Sequence, residues 1–505
     1  MRASALRSMS KGCLPPTTEQ IITGVLLMSF WEITGIVALT TLAASYGWGM
    51  RGCMIGGEKG AMLPGAYIGL LFARFSGSAI IRENFWIFAA AGALGMFFGG
   101  TETYGQTLGF IVNKKPPVNY AKGMQGVILK GALWFGVFGA FLGMSLTAMT
   151  GEIYKPSDII VLCALIIPLR LLGILIFNSP YKPKDKKFPR LYFSVDRREE
   201  WGGNLLLLAA LVILMSIRRD SYSLLLCAVG AVSGAVGWAV GINLFYITKH
   251  PLKNGRFIFG SLQKKGYIDN WKIMEWTLGA FGGFGLSLAF CLNFDALKKI
   301  TGTIEKNGGL WNPLGGANFM LSWIAATLIL LTVLQHFFYN KATVKFKNKL
   351  KYERAGKAFE WLEQPFYCYL PLMLILLGGV NMAQIISFFA MFWVIAEKSY
   401  FERFAALKFR LFWFVVLVGG SAAVFINELF LHNSYGIWQT WLLYCIGYEL
   451  LELCWTWRPD AFALAKKKTE AGGKLLRAFG SVTVVHGVFI LQIAGLITAG
   501  YFVFR

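Results

Sequence analysis

Apolar runs long enough to cross a bilayer recur along this chain. Residues 20–43, 315–338, 411–431 and 479–503 are each apolar and show no period-two alternation. At about 1.5 Å of rise per residue, each spans a hydrocarbon core of about 30 Å. In hydrocarbon the backbone must satisfy its own hydrogen bonds, so such runs predict helices rather than the strands of a barrel. The pattern is that of an all-α, polytopic transmembrane helical bundle.

A finer period lies within the runs. Small residues recur at every fourth position at Gly57, Ala61, Gly65, Gly69 and Ala73, and at Ala91, Gly95, Gly99 and Thr103. The same spacing returns at Ser233, Gly237 and Gly241, and at Gly279, Gly283 and Ser287. Each stripe predicts a helix face along which another backbone approaches closely. Beyond residue 293 the stripes thin out and Leu, Phe and Trp dominate. The chain therefore divides into a tail (1–19), a Gly-rich bundle (20–293) and a second bundle with basic loops (294–505).

Charge sets an expected orientation. The chain carries 49 Lys and Arg against 26 Asp and Glu, a net charge of +23, with dense clusters at 182–190, 341–357 and 465–477. Basic residues confined to short loops between apolar runs mark the cytoplasmic face and meet anionic lipid headgroups, so the bilayer rather than nucleic acid is the expected partner. Placing 1–19, 180–200, 249–270, 341–363, 398–410 and 457–478 all in the cytoplasm requires roughly thirteen full spans and a re-entrant or broken segment near 58–75. It also requires two short spans within 366–397, hinged at Gly378, Gly379 and Asn381. Arg218 and Arg219 fall outside in this scheme and run against it. The first apolar run is too long for a signal-peptide core and reads as an uncleaved anchor with a cytoplasmic N-terminus.

Hydrophobic residues make up 56% of the chain, charged residues only 15%, and the mean hydropathy is +0.55. The eight cysteines are scattered without a CxxC spacing, and the four histidines lie far apart in sequence. No metal site and no cofactor is expected from them.

Against this background a few polar stretches stand out. SYGWGMRGCMIGGEKGAMLPGA (45–66) sets Arg51, Glu58 and Lys59 among glycines, and Pro64 is expected to help break the span. Ionisable residues within spans are costly and mark pathways or structural partners; an Arg51–Glu58 ion pair is the structural alternative. GGTETYGQTLGF (99–110) brings Glu102, Tyr104 and Gln106, and NWKIMEWTLGAFGGFG (270–285) brings Lys272 and Glu275 between Trp271 and Trp276. Trp and Lys at a helix end also fit a simple interfacial anchor. Asn243 is a weaker candidate. The candidate solute-binding set is Arg51, Glu58, Lys59, Glu102, Tyr104, Gln106 and Glu275.

The pattern WGxRGxxxGGExGAMxPGA at 48–66, with GGxxxYGQ at 99–106 and WKxxE at 271–275, resembles a group of uncharacterised bacterial polytopic membrane proteins. The resemblance covers roughly the first 290 residues. It implies a bacterial inner-membrane setting and carries over no activity.

The leading functional expectation is a transporter of a small polar or anionic solute, with a discontinuous segment and a glycine-packed bundle that permits rigid-body motion. An integral-membrane acyl- or glycosyl-group transferase is the alternative, with His486 as base and Asn427 and Glu428 near it. A non-catalytic membrane assembly protein is the third reading.

Overall fold

The computed structural model describes residues 28–51, 57–100, 104–112, 120–179, 191–193, 199–249, 269–308 and 487–500. All regular structure among them is helical: α1 (Phe30–Met50), α2 (Gly57–Phe75), α3 (Ala79–Glu83), α4 (Phe85–Gly99), α5 (Tyr104–Val112), α6 (Tyr120–Thr147), α7 (Pro156–Gly173, extended by a π turn Ile174–Asn178), α8 (Trp201–Ile217), α9 (Ser221–Lys249), α10 (Asn270–Leu292) and α11 (Phe294–Lys306). A last apolar helix, α12, runs over Gly487–Gly500. Among the described residues, four stretches are long and apolar enough to cross a membrane: Tyr120–Thr150, Ser157–Asn178, Ser221–Lys249 and Asn270–Leu292. Most of the later expected spans, with the hinge at 378–381, lie outside the described residues.

Helices α1, α2, α4, α6, α9 and α10 pack neighbour to neighbour and close into a ring, with α10 returning to α1. The small-residue stripes are its seams. A Cβ at Gly65 would strike the Gly92 carbonyl, and one at Gly69 the Phe88 carbonyl, so α2 and α4 touch through their backbones. Gly131 and Gly234 do the same for α6 and α9, and Gly279 meets the Ala44 carbonyl to join α10 to α1. Such close contact substitutes dispersion between backbones for the hydrophobic effect, which lipid does not supply. The α7–α8 pair packs outside the ring and is closed by Gly173 against Gly202. Its outward faces carry Val161, Leu165, Leu172, Leu175, Ile213 and Ile217 exposed, a surface suited to acyl chains.

Every seam is antiparallel. Gly47 lies on Pro64, Gly99 on Trp134, Gly143 on Ser223 and Gly241 on Met274. One end of the ring thus gathers Arg51, the start of α2, the end of α4, the starts of α6 and α10 and the end of α9. The other end gathers the start of α1 with 76–84, 148–155, 218–220 and α11.

Two expectations are corrected here. Residues 57–75 are neither re-entrant nor interrupted at Pro64; they form one helix lying along α4, with Pro64 inside it. The proline removes only one intrahelical donor, and Gly47 opposite makes room for its ring. Because α2 traverses the ring, the start of α1 stands at the opposite end from the last residues of α7 and the first of α8, which flank 180–200, and not with them. Arg218 and Arg219, at the far end of α8, stand opposite its start, as their position in the sequence required.

The far end is stitched by a buried carboxylate. Asp220 accepts hydrogen bonds from Thr147 Oγ1 (2.6 Å), Tyr154 Oη (2.7 Å), Ser223 Oγ (2.6 Å) and Ser223 N (3.0 Å), capping α9 while holding the end of α6. Burial and the Asp220 charge push the Tyr154 phenol well above its ordinary pKa, so it stays a donor.

Candidate functional site

Three charged side chains converge at the near end of the ring. Arg51 terminates α1, and Lys272 and Glu275 occupy the first turns of α10, where Asp269 caps the backbone N–H groups of Trp271 and Lys272. Arg51 Nη1 donates to Glu275 Oε1 at 3.4 Å, and Lys272 Nζ donates to Glu275 Oε2 at 2.9 Å. Lys272 Nζ also donates to the Gly49 carbonyl at 2.8 Å, tying α10 to the last turn of α1. The side chains of Arg51, Lys272 and Glu275 are 1%, 6% and 4% exposed. Each cation holds a different oxygen of one carboxylate, the arrangement that makes buried charge tolerable.

Aromatic rings seal the triad from the ring interior. The Arg51 guanidinium lies 5.1 Å from the Trp48 ring and 5.8 Å from the Trp134 ring, within cation–π range. Trp48 meets Trp134 edge-on at 5.2 Å and stacks on Phe135 at 6.0 Å, and Trp134 reaches Trp238 at 6.1 Å. Phe135 crosses the ring to fill the space above Gly282, two turns deeper along α10 than Glu275. Gly60, in the first turn of α2, has no side chain because the Arg51 stem occupies that place.

The indole N–H groups of Trp48 and Trp276 are buried here and find no acceptor among the described residues. Trp276 Nε1 lies against Gly49, whose carbonyl holds Lys272. A buried unsatisfied polar group in a native fold calls for a role or an absent partner.

A second buried pair sits at the same end. Lys130 on α6 donates to Glu199 Oε1 (3.1 Å) and to Thr107 Oγ1 of α5 (2.9 Å), while Phe193 N donates to Glu199 Oε2 (3.0 Å). Between the two clusters, the C-terminal carbonyls of α4 are capped from three other helices. Trp134 Nε1 donates to Met96 O (2.9 Å), Arg170 Nη1 to Phe98 O (3.3 Å) and Asn204 Nδ2 to Gly99 O (2.7 Å). These donors serve the carbonyls that a helix ending inside the bundle leaves open.

Of the sequence candidates, Arg51 and Glu275 are brought together from positions 224 residues apart. Lys272 is corrected from interfacial anchor to buried partner; Trp271 beside it, 45% exposed, keeps the anchor position. Glu58 and Lys59 begin α2, and Tyr104 and Gln106 begin α5, but their side chains, like Glu102 as a whole, lie outside the described residues. So do Asn427, Glu428 and His486. Asn243 accepts from Tyr120 Oη at 2.7 Å and donates to Ala239 O, a local tie between α6 and α9. Lys130, Glu199 and Arg170 were missed; a lone Lys in a glycine-rich apolar run was their one legible signal. Among the described residues no group of His, Cys, Asp and Glu has the makings of a metal site.

Fold and exterior together define an α-helical membrane-embedded protein with a buried ionic centre. No protein-family model matches the chain, and no curated protein or solved structure is similar to it.

Proposed function

We propose that this chain transports a small anionic solute across the membrane, with Arg51, Lys272 and Glu275 as its binding centre. The observation that carries the reading is that two buried cations hold the two oxygens of one carboxylate, with the indole N–H of Trp48 beside Arg51 and that of Trp276 beside Gly49 buried and without an acceptor among the described residues. In a low-dielectric interior such donors favour a negative group strongly, because no water competes for them. The aromatic layer under the triad supports the reading: it closes the ring at the depth where a solute path needs a barrier. The segments that carry Lys114, Lys115, the 182–190 cluster and Lys253 to Lys265 follow in sequence on α5, α7 and α9, whose last residues stand at the triad end, which we therefore orient to the cytoplasm.

The test is uptake of labelled acetate, phosphate and chloride into liposomes holding the full-length protein, beside the Arg51→Gln and Lys272→Gln variants. The expected result is uptake of at least one of the three, reduced about tenfold or more by either substitution, the scale of one lost charge-assisted hydrogen bond. Uptake of none, or uptake indifferent to both substitutions in folded protein, overturns the reading.

A further inference from the structure

Resting on that reading, we infer that α11 is a lid: it lies across the far end of the ring, is jointed at Asn293 and Gly308, and lifts to open that end to the solute. The ring order puts α10 and α4 on opposite sides, three steps apart in either direction. α11 leaves α10 through Asn293 alone, packs on α3, which leads into α4, and reaches Ala148–Thr150 at the end of α6. It therefore crosses the mouth of the ring from one wall to the other. Its length agrees. The 13 residues rise about 20 Å, and six helices whose neighbours stand about 8 to 10 Å apart leave opposite walls about 16 to 20 Å apart.

The helix is built as a cover rather than as a wall. Asp295, Lys298, Lys299, Glu305 and Lys306 are exposed, and the residues it buries are Leu297, Thr301 and Ile304. At its start, the Phe294 ring lies 3.7 Å from where a Cβ on Gly77 would stand and 6.4 Å from the Phe290 ring of α10. Phe290 in turn meets Phe72 of α2 at 4.4 Å, and both are buried. Around the ring α1 separates α10 from α2, so this contact runs through the interior, beneath the lid. Both joints suit movement. Asn293 spends its side chain on the Ala289 carbonyl at 2.9 Å, which finishes α10 and leaves the first turn of α11 without a side-chain cap. At the other end Asn307 Nδ2 donates to Thr150 O at 3.2 Å as a latch, and Gly308 follows with a φ of +70°, which glycine adopts at no steric cost. A helix held by a small apolar underside and a surface latch belongs to the parts of a fold that open first.

The test locks the lid. Asn307→Cys and Glu152→Cys, at exposed positions on either side of the latch, are bridged in full-length protein with a short thiosulfonate crosslinker that reductant removes. Uptake of labelled acetate, phosphate and chloride into liposomes is measured before bridging, after it and after reduction. Expected are uptake like wild type before bridging, its loss once bridged, recovery on reduction, and no loss in either single variant treated alike. A second measurement needs no transport. Thr301→Cys, on the underside of α11, is expected to react with an impermeant maleimide in nanodiscs, while Ser287→Cys, buried within α10, stays inert, read by mass spectrometry at each site. Uptake that survives bridging or falls equally in the single variants overturns the lid and leaves the transport reading standing. So does Thr301→Cys as inert as Ser287→Cys. Wild-type protein that carries none of the three anions overturns the transport reading, and the labelling then decides the lid by itself. Should the bridged pair not fold, the labelling again decides.

Discussion

Arg51 is the residue on which the charged end of the ring turns. It closes α1, accepts the bare backbone of Gly60 against its stem, and sends its guanidinium between two indoles to Glu275. Removing Glu275 takes away the carboxylate that both buried cations share, at about 3 to 5 kcal/mol, whereas removing Arg51 leaves Glu275 held by Lys272. Glu275→Ala is expected to lower thermal stability sharply and Arg51→Ala less so, while the double substitution costs less than the sum of the two. Thermal melts of the four proteins in a double-mutant cycle check this; strict additivity rules out a direct pair. Glu275 was not legible in sequence as a partner of Arg51. Glu58, seven residues on, is the nearest carboxylate along the chain, and only the return of α10 to α1 puts Glu275 against the guanidinium.

Asp220 is the contrasting buried carboxylate. Its four donors come from the end of α6, the link that follows it and α9, and it sits at the opposite end from the triad. Asp220→Ala leaves the hydroxyls of Thr147, Tyr154 and Ser223 without their acceptor, each hydrogen bond to the charged group being worth about 1.5 to 3 kcal/mol. A lowered melting temperature with solute affinity intact in the folded fraction is the expected outcome, read by melting and binding on one preparation. Loss of affinity in protein that melts normally contradicts this structural role.

At the scale of the element, glycine spacing was the strongest signal and the structure uses it as a seam. Gly65 and Gly69 face the Gly92 and Phe88 carbonyls, so any side chain there forces α2 away from α4. Gly65→Leu and Gly69→Leu are expected to reduce folded yield and melting temperature. Leu172→Ala, on the outer face of α7 at 48% exposure, is expected to leave both near wild type. Equal melting of all three proteins removes the seam. Pro64 misled because a proline within a helix forfeits one backbone donor and crowds the carbonyl four residues earlier without having to end the helix. Its ring packs on Gly47 of α1, and α2 continues to Phe75. The breaks that do occur, after Met50 and after Gly99, fall beside Arg51 and beside the carbonyls capped by Trp134, Arg170 and Asn204, where side chains replace the lost backbone partners.

For the whole molecule, the ring fixes which connections share a face. Cysteines introduced at the exposed Ala79 and Glu152 are expected to react with an impermeant maleimide from one side of the membrane, and cysteines at Lys186 and Lys253 from the other. The basic connections predict that Lys186 and Lys253 face the cytoplasm. Labelling of Ala79 and Lys186 from the same side contradicts the antiparallel ring; uniform reversal contradicts only its orientation.

Local chemistry determined by itself that this chain is helical, meets lipid, packs through glycine stripes and places costly charges at 51 and 275. Hydropathy, residue size and ionisation are properties of each position and its near neighbours, so they are visible along the chain. Tertiary structure alone decided that α2 traverses the ring, that Lys272 turns inward, that Lys130 meets Glu199, and that Arg51 pairs with a carboxylate 224 residues away. Those outcomes depend on which helices are neighbours. In a bilayer that choice is made by backbone fit and by the need of each buried charge for a partner, terms that exist only once the helices have met.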